Sequence, residues 1–455
     1  MIVAALALTA CSDPDTSPTM RGFPDAGATD ASVGDAGTRP DAAALPDAAA
    51  MPDAAEPDAG HEAPPARYAA NATQSRINAH VASELARIRA NDPTLHDDVL
   101  AKVGDSITVS TSFLQCFAGS RVMLDGRTGL SETIAHFGAG DAAGTTPYQR
   151  TTLAADVGWS AWRVLETTTP SALVQELDAI QPRFAVVMYG TNDVGSNTPT
   201  RYADNMFDIV DVLTERGVVP ILSSFPPRDD NAAANARIPL YKAIVRGLAE
   251  ARQVPFVDLH RELLSIPGHG LGPDNVHPNQ APTGACDFTP SGLGYGYDVR
   301  NLVTIEALDR ARRVLLAGEP APDGDGPPRV GSGTSADPYI VDGFPFTDVR
   351  NTSFATESTR ATYTGCSSTA DESGPELVYR LELAAPRHID AWVFDRGTVD
   401  VDVHVLGAAG TVASCVARND THVSLDLAAG SYTIVLDTYV SAGVERAGEY
   451  LLVVL

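Results

Sequence analysis

The sequence predicts a three-layer α/β/α domain with a mostly parallel sheet, followed by an all-β sandwich. Three observations carry this expectation. Continuous apolar runs such as residues 184–189 (FAVVMY) alternate with amphipathic stretches, as in parallel strands covered on both faces. Residues 319–333 (EPAPDGDGPPRVGSG) form a Pro/Gly-rich break. Beyond the break no long helical stripe occurs, and short segments alternate apolar with polar residues.

Element by element, residues 78–90 carry a helical stripe (Ile77, Val81, Leu85, Ile88), and 98–103 form a short apolar strand ending at Gly104. After the strand at 184–189, residues 202–216 place Met206, Ile209, Val210 and Leu213 on one helical face. A strand at 218–222, a helix at 238–252, a strand at 254–259 and a final helix at 302–316 complete the series. In the tail, strands are expected at 377–383, 389–394, 399–406, 422–427, 432–437 and 449–455. In parallel sheets reactive groups gather at the carboxyl ends of the strands.

Four short motifs sit at those ends. Gly104-Asp105-Ser106 places a hydroxyl at a strand-to-helix turn, although Gly-Asp-Ser is also ordinary N-cap chemistry. Gly190-Thr191-Asn192-Asp193 leaves the FAVVMY strand, where an Asn amide can face a developing oxyanion or simply form a turn. Asp274-Asn275-Val276-His277 spaces a carboxylate and an imidazole three apart, enough for the acid to orient the ring. Asp156-Val157-Gly158-Trp159 offers an unobstructed backbone N–H at Gly158. Trp159 and Trp162 read equally as subsite walls and as packing.

In this order the motifs resemble the SGNH hydrolases, also called GDSL esterases and lipases, over residues 99–313. The resemblance implies the family's flavodoxin-like α/β/α fold, with Ser106 as nucleophile, His277 as general base and Asp274 as its partner. It also implies an oxyanion hole from the N–H groups of Ser106 and Gly158 and the side chain of Asn192. Gly138, Gly140 and Gly144 in the preceding loop compete with Gly158 for that place. A Ser hydroxyl needs such a base to become nucleophilic. Among the ten histidines, the nearest rivals His260 and His269 lack the Asp-x-x-His-Pro setting. No metal or other cofactor is called for.

The remaining features concern location. Residues 1–11 are apolar and end in Leu8-Thr9-Ala10-Cys11, which resembles the lipobox of bacterial lipoproteins and implies acylation of Cys11. There is no Lys or Arg before the apolar run, so the start codon is expected upstream. Residues 12–66 repeat Pro-Asp-Ala at Pro24, Pro40, Pro46, Pro52 and Pro57, with nine Asp and two Glu against Arg21 and Arg39. Such a segment is expected to be an extended, disordered stalk. The whole chain of 455 residues carries a formal charge of −26, which argues against a nucleic-acid partner. Setting Cys11 aside, Cys116 and Cys286 fall before the break and Cys366 and Cys415 after it. One bridge in each domain is the simplest pairing, and it suits an oxidising compartment.

The expected organisation is therefore a lipoprotein signal (1–11), stalk (12–66), hydrolase domain (67–318), linker (319–333) and sandwich (334–455). The tail resembles the bacterial pre-peptidase C-terminal domain in pattern (Glu376–Arg380, Asp400–His404, Ala429–Tyr432). Asp400-x-Asp402-x-His404 reads there as a solvated polar face and not as a metal site. The reading is an exported lipoprotein of the periplasm or cell surface that hydrolyses acetyl or short-chain O-acyl esters, carbohydrate esters included. An O-acyltransferase on a carbohydrate is the rival enzyme, and a non-catalytic surface binding protein the rival from another class. The hydrolase domain is expected to stay active when the chain is cut near Gly318.

Overall fold

The computed structural model describes residues 64–166 and 168–455. The lipobox with Cys11 and almost all of the stalk lie outside the described residues.

Helix α1 (Ala79–Asn91) precedes strand β1 (His96–Gly104), which runs into the single turn α2 (Ser106–Val109). Helices α3 (Leu130–Ala139), α4 (Arg163–Glu166) and α5 (Ala172–Ile180) lead to β2 (Pro182–Met188). Then follow α6 (Asp193–Ser196), α7 (Pro199–Glu215), β3 (Val219–Ser223), α8 (Ala232–Ala251), β4 (Phe256–Val257), α9 (Leu259–Leu264) and α10 (Gly296–Leu315). Caps explain the helix starts: the side chains of Asn78, Ser171, Thr198 and Asn231 each accept a backbone N–H of the first turn. The sequence pattern missed α3 and α5 and began α8 and α10 six residues late.

The sheet is parallel in the order β1-β2-β3-β4. On the outer side of β1 a single parallel bridge, Gly104 with Ala155, holds the chain, and the Gly104 N–H donates to Ala154 O at 3.1 Å. Counting that bridge as an edge position, the chain leaves β1 in one direction and β2, β3 and β4 step away in the other. This reversal is the topological switch point at which such sheets bind ligands. It lies between the ends of β1 and β2.

The tail forms β5 (Tyr339–Val341), β6 (Phe346–Asn351), β7 (Glu376–Leu383), β8 (Arg387–Asp395), β9 (Val401–Leu406) and β10 (Cys415–Asn419). It continues through β11 (His422–Leu427), β12 (Gly430–Thr438), the small pair β13 (Val440–Ser441) and β14 (Val444–Glu445), and β15 (Glu449–Val454). Sheet β10-β9-β12-β7-β5 faces sheet β11-β8-β15-β6 across a core that includes Tyr379, Leu381, Val403, Ile434 and Leu452. All pairings are antiparallel except β5 with β7. Sulfur bridges join Cys116 to Cys286 and Cys366 to Cys415, with Cα–Cα distances of 5.8 and 5.3 Å.

Two expectations change. Residues 319–333 contain no helix or strand, yet they are fastened to the α/β domain. Asp323 accepts the Ile77 N–H at 2.7 Å and pairs with Arg310, while Asp325 accepts from Asn78. The sandwich is also not a separate body: Phe394, Leu451 and Val453 are buried in the same apolar cluster as the α/β core. Helix α8 is consequently buried on every side from Ala243 to Ala249, the mark of a helix between two layers. Arg252 reaches both Asp211 (2.9 Å) and Glu449 (2.7 Å), and Arg396 binds Asp208 and Asp211.

The polar stripe of β9 is a further correction. Asp402 and His404 are buried, not solvated, because Tyr363 lies flat on His404 with ring centroids 3.5 Å apart. Burial pushes the His404 imidazole down to about 3, so it is neutral at pH 7.

Candidate active site

Ser106 opens α2 directly after β1. Gly104 is required there, since a Cβ at that position would stand 2.6 Å from Met188 O and overlap the Thr108 side chain. Asp105 caps the turn, accepting the Ile107 N–H at 3.0 Å. Its second oxygen is buried without a partner among the described residues, and burial pushes its carboxyl up to about 6.

The Ser106 hydroxyl lies 2.8 Å from His277 Nε2, and His277 Nδ1 lies 2.7 Å from Asp274 Oδ2. A carboxylate can only accept, so the Nδ1–H donates to Asp274 and Nε2 is left as an acceptor for the Ser106 hydroxyl. Asn275 sits between the acid and the base in the left-handed region (φ 58°), which Asn tolerates better than most residues. That turn lets Asp274 Oδ1 accept both the Val276 and His277 N–H groups at 3.0 Å. Partial burial pushes the Asp274 carboxyl up, but these two N–H groups and the imidazole outweigh it and hold it at about 2.

The strand end of β2 organises the opposite wall. Gly190, at φ 130°, packs under the Phe225 ring, where no Cβ fits. Asn192 Nδ2 donates to Trp159 O at 2.8 Å, and Asp193 accepts the Ala161 N–H at 3.0 Å. These two side chains suspend the 156–161 loop beside the Gly104–Ala155 bridge. Gly158 is in a positive-φ turn (76°), and neither its N–H nor that of Ser106 has a protein acceptor among the described residues. Asp193 is buried, and burial pushes it up to about 6.

Of the rivals, His260 is buried and pushed down to about 4, and His269 pairs with Asp229 at 2.7 Å. Neither touches Ser106. Trp159 packs partly into the core, while the Trp162 ring carries Arg163 and Arg201 guanidinium groups at 4.0 and 4.9 Å.

Two arginines were missed. Arg300 is buried on α10 and donates to Ile107 O (2.6 Å) and Thr108 Oγ1 (2.9 Å), holding the turn behind Ser106. Burial lowers it to about 10, and the Asp105 carboxylate works against that fall. Arg228 binds Thr191 O and Asp230, while the Asp230 N–H donates to Asn275 O, tying the Asn192 loop to the His277 loop. Neither position carried a signal in the sequence.

The fold and the motifs at its strand ends define a hydrolase domain of the α/β/α type. Residues 103–281 match the model of the GDSL-like lipase/acylhydrolase family. Solved structures overlap parts of the chain distantly. A GDSL-like lipase from Bacteroides thetaiotaomicron is 17% identical over 51% of this chain and 99% of its own, with a TM-score of 0.31. An acetylxylan esterase from Geobacillus stearothermophilus is 15% identical over 46% and 93%, with a TM-score of 0.30. The pre-peptidase C-terminal domain of a Bacillus anthracis collagenase is 13% identical over 24% and 89%, with a TM-score of 0.17. No curated protein matches the sequence.

Proposed function

We propose that the protein is a serine-dependent ester hydrolase working through an acyl-enzyme at Ser106. The hydroxyl-to-imidazole-to-carboxylate chain of 2.8 and 2.7 Å carries this reading. Ser106 Oγ attacks the ester carbonyl carbon as its proton passes to His277 Nε2, and Asp274 stabilises the imidazolium. The imidazolium then protonates the leaving alcohol. Water, activated by the same nitrogen, releases the acid and restores Ser106. The oxyanion meets the Ser106 and Gly158 N–H groups and the second amide hydrogen of Asn192, the first being used on Trp159 O.

The site is shallow: the side chains of His277 and Asp274 are 43% and 53% exposed. An open site supports a small acyl group, acetyl above all, on an alcohol as large as a polysaccharide. Export as a lipoprotein acylated at Cys11 is part of the same proposal, supported by the Leu-Thr-Ala-Cys sequence and by one disulfide in each domain.

p-Nitrophenyl esters of rising chain length and acetylated xylan test the reading. Acetyl should be the preferred acyl group, and Ser106→Ala or His277→Ala should each lower kcat by about 10³-fold or more, the double variant little further. Wild-type turnover by Ser106→Ala overturns the mechanism, and a preference for long chains overturns the acyl assignment. Loss of membrane association on Cys11→Ala tests the anchor.

A further inference from the structure

The other chemistry-bearing cluster lies far along the chain, in the sandwich. Val401, Val403 and Val405 of β9 point into the sandwich core, so Asp402 and His404 occupy its opposite face. The 363–372 segment closes over them through Tyr363 and Glu372. One oxygen each of Glu372 and Asp402 and one ring nitrogen of His404 lie within 4.8 Å of one another. All three residues are buried, His404 completely. Among the described residues, neither nitrogen of His404 has a hydrogen-bond partner, nor has Glu372 Oε2. His404 Nε2 lies 3.8 Å from Glu372 Oε1, too long for a hydrogen bond. Buried polar atoms grouped in this way can take a water or an ion.

We propose that Glu372, Asp402 and His404 form a three-ligand site for a divalent transition-metal ion of the zinc type, with water as the fourth ligand. A neutral ring nitrogen with two carboxylate oxygens suits zinc, whereas calcium takes oxygen ligands alone. Ligands about 2.0–2.2 Å from one ion stand within about 4.4 Å of each other, so small side-chain shifts close the set. Arg418 on β10 holds the cation's place, donating to Glu372 Oε1 at 2.9 Å and to Asp402 Oδ2. Its side chain is one-quarter exposed and can turn to solvent as the ion enters. The ion would clamp the 363–372 segment to β9 beside the Cys366–Cys415 bridge. Asp400 and Asp420 form an overlapping group with Asp402 that contains no nitrogen.

The test uses the full chain, stripped with a chelator, then titrated calorimetrically with ZnCl2 and separately with CaCl2. One equivalent of Zn2+ should bind and raise the melting temperature, with ester hydrolysis unchanged. His404→Ala should weaken Zn2+ binding by more than about 10²-fold, beyond the ~10–100-fold typical of losing a supporting group. Arg418→Ala should tighten binding about tenfold by removing the competing charge. If His404→Ala unfolds the sandwich, Glu372→Gln, on the covering segment, carries the same expectation. Failure of wild type and Arg418→Ala to bind Zn2+ overturns the proposal. So does binding that survives His404→Ala and Glu372→Gln, or binding of Ca2+ alone, which would assign the Asp400, Asp402 and Asp420 group instead.

Discussion

His277 and His404 both follow an Asp at short spacing, one in each half of the molecule, and their surroundings are opposite. His277 is nearly half exposed, with both nitrogens engaged, one by Ser106 and one by Asp274. His404 is sealed beneath Tyr363 with both nitrogens unpartnered. An imidazole that cycles protons with a substrate needs a path to solvent and a carboxylate that stays charged. One that holds an ion needs free electron pairs and rigid walls. Spacing alone cannot separate the two cases; burial and the unused atoms do.

The largest expected effect concerns whether the two halves are independent at all. Cutting the chain at Gly318 strips α8 of Phe394, Leu451 and Val453, so the shortened protein should lose solubility and most of its activity. Leu451→Ala in the full chain should cost about 2–5 kcal/mol in urea unfolding, the usual loss for a buried Leu. A truncated chain with the parental melting temperature and turnover would show that the contact is dispensable.

Next in size is Asn192→Ala, which should reduce kcat about 10²–10³-fold with little change in KM. The same change frees Trp159 O, so the 156–161 loop should also exchange its amide hydrogens faster. A rise in KM alone would make Asn192 a substrate-binding group.

The smallest effect is a pH dependence. Burial raises the Asp193 carboxyl to about 6, above its unfolded value near 3.9. Its stabilising contribution is therefore complete below about pH 4 and is lost as pH rises through 6. The stability of wild type relative to Asp193→Asn should fall by roughly 2–3 kcal/mol between pH 4 and pH 8. A flat difference in melting curves across that range would contradict the buried-carboxylate account.

Much of the α/β domain was legible because a parallel sheet writes each strand as an apolar run and each strand end as a Gly-rich motif. Ser106, Asn192, Asp274 and His277 lie in those motifs, and the structure brings Ser106, His277 and Asp274 together. Arg300 was not legible, since its partner Ile107 lies 193 residues away. The polar face of β9 was misread because the covering segment around Tyr363 has no periodic pattern. The domain contact did leave a trace: Tyr450 to Val454 reads YLLVV, with every residue buried. A strand without alternation is covered on both faces, and here the second cover is α8.

The fastening of residues 66–68 has a directional consequence. Ala66 is held by Gln253, whose side chain bonds both its N–H and its C=O, and Tyr68 bonds Val254 O. Residues 253 and 254 precede β4 and so lie at the amino-terminal pole of a parallel sheet. Ser106 and Asn192 stand at the opposite pole. Residues 66–68 are thus fastened on the side of the domain away from Ser106, so substitutions at Gln253 and at Asn192 act on opposite ends of one sheet.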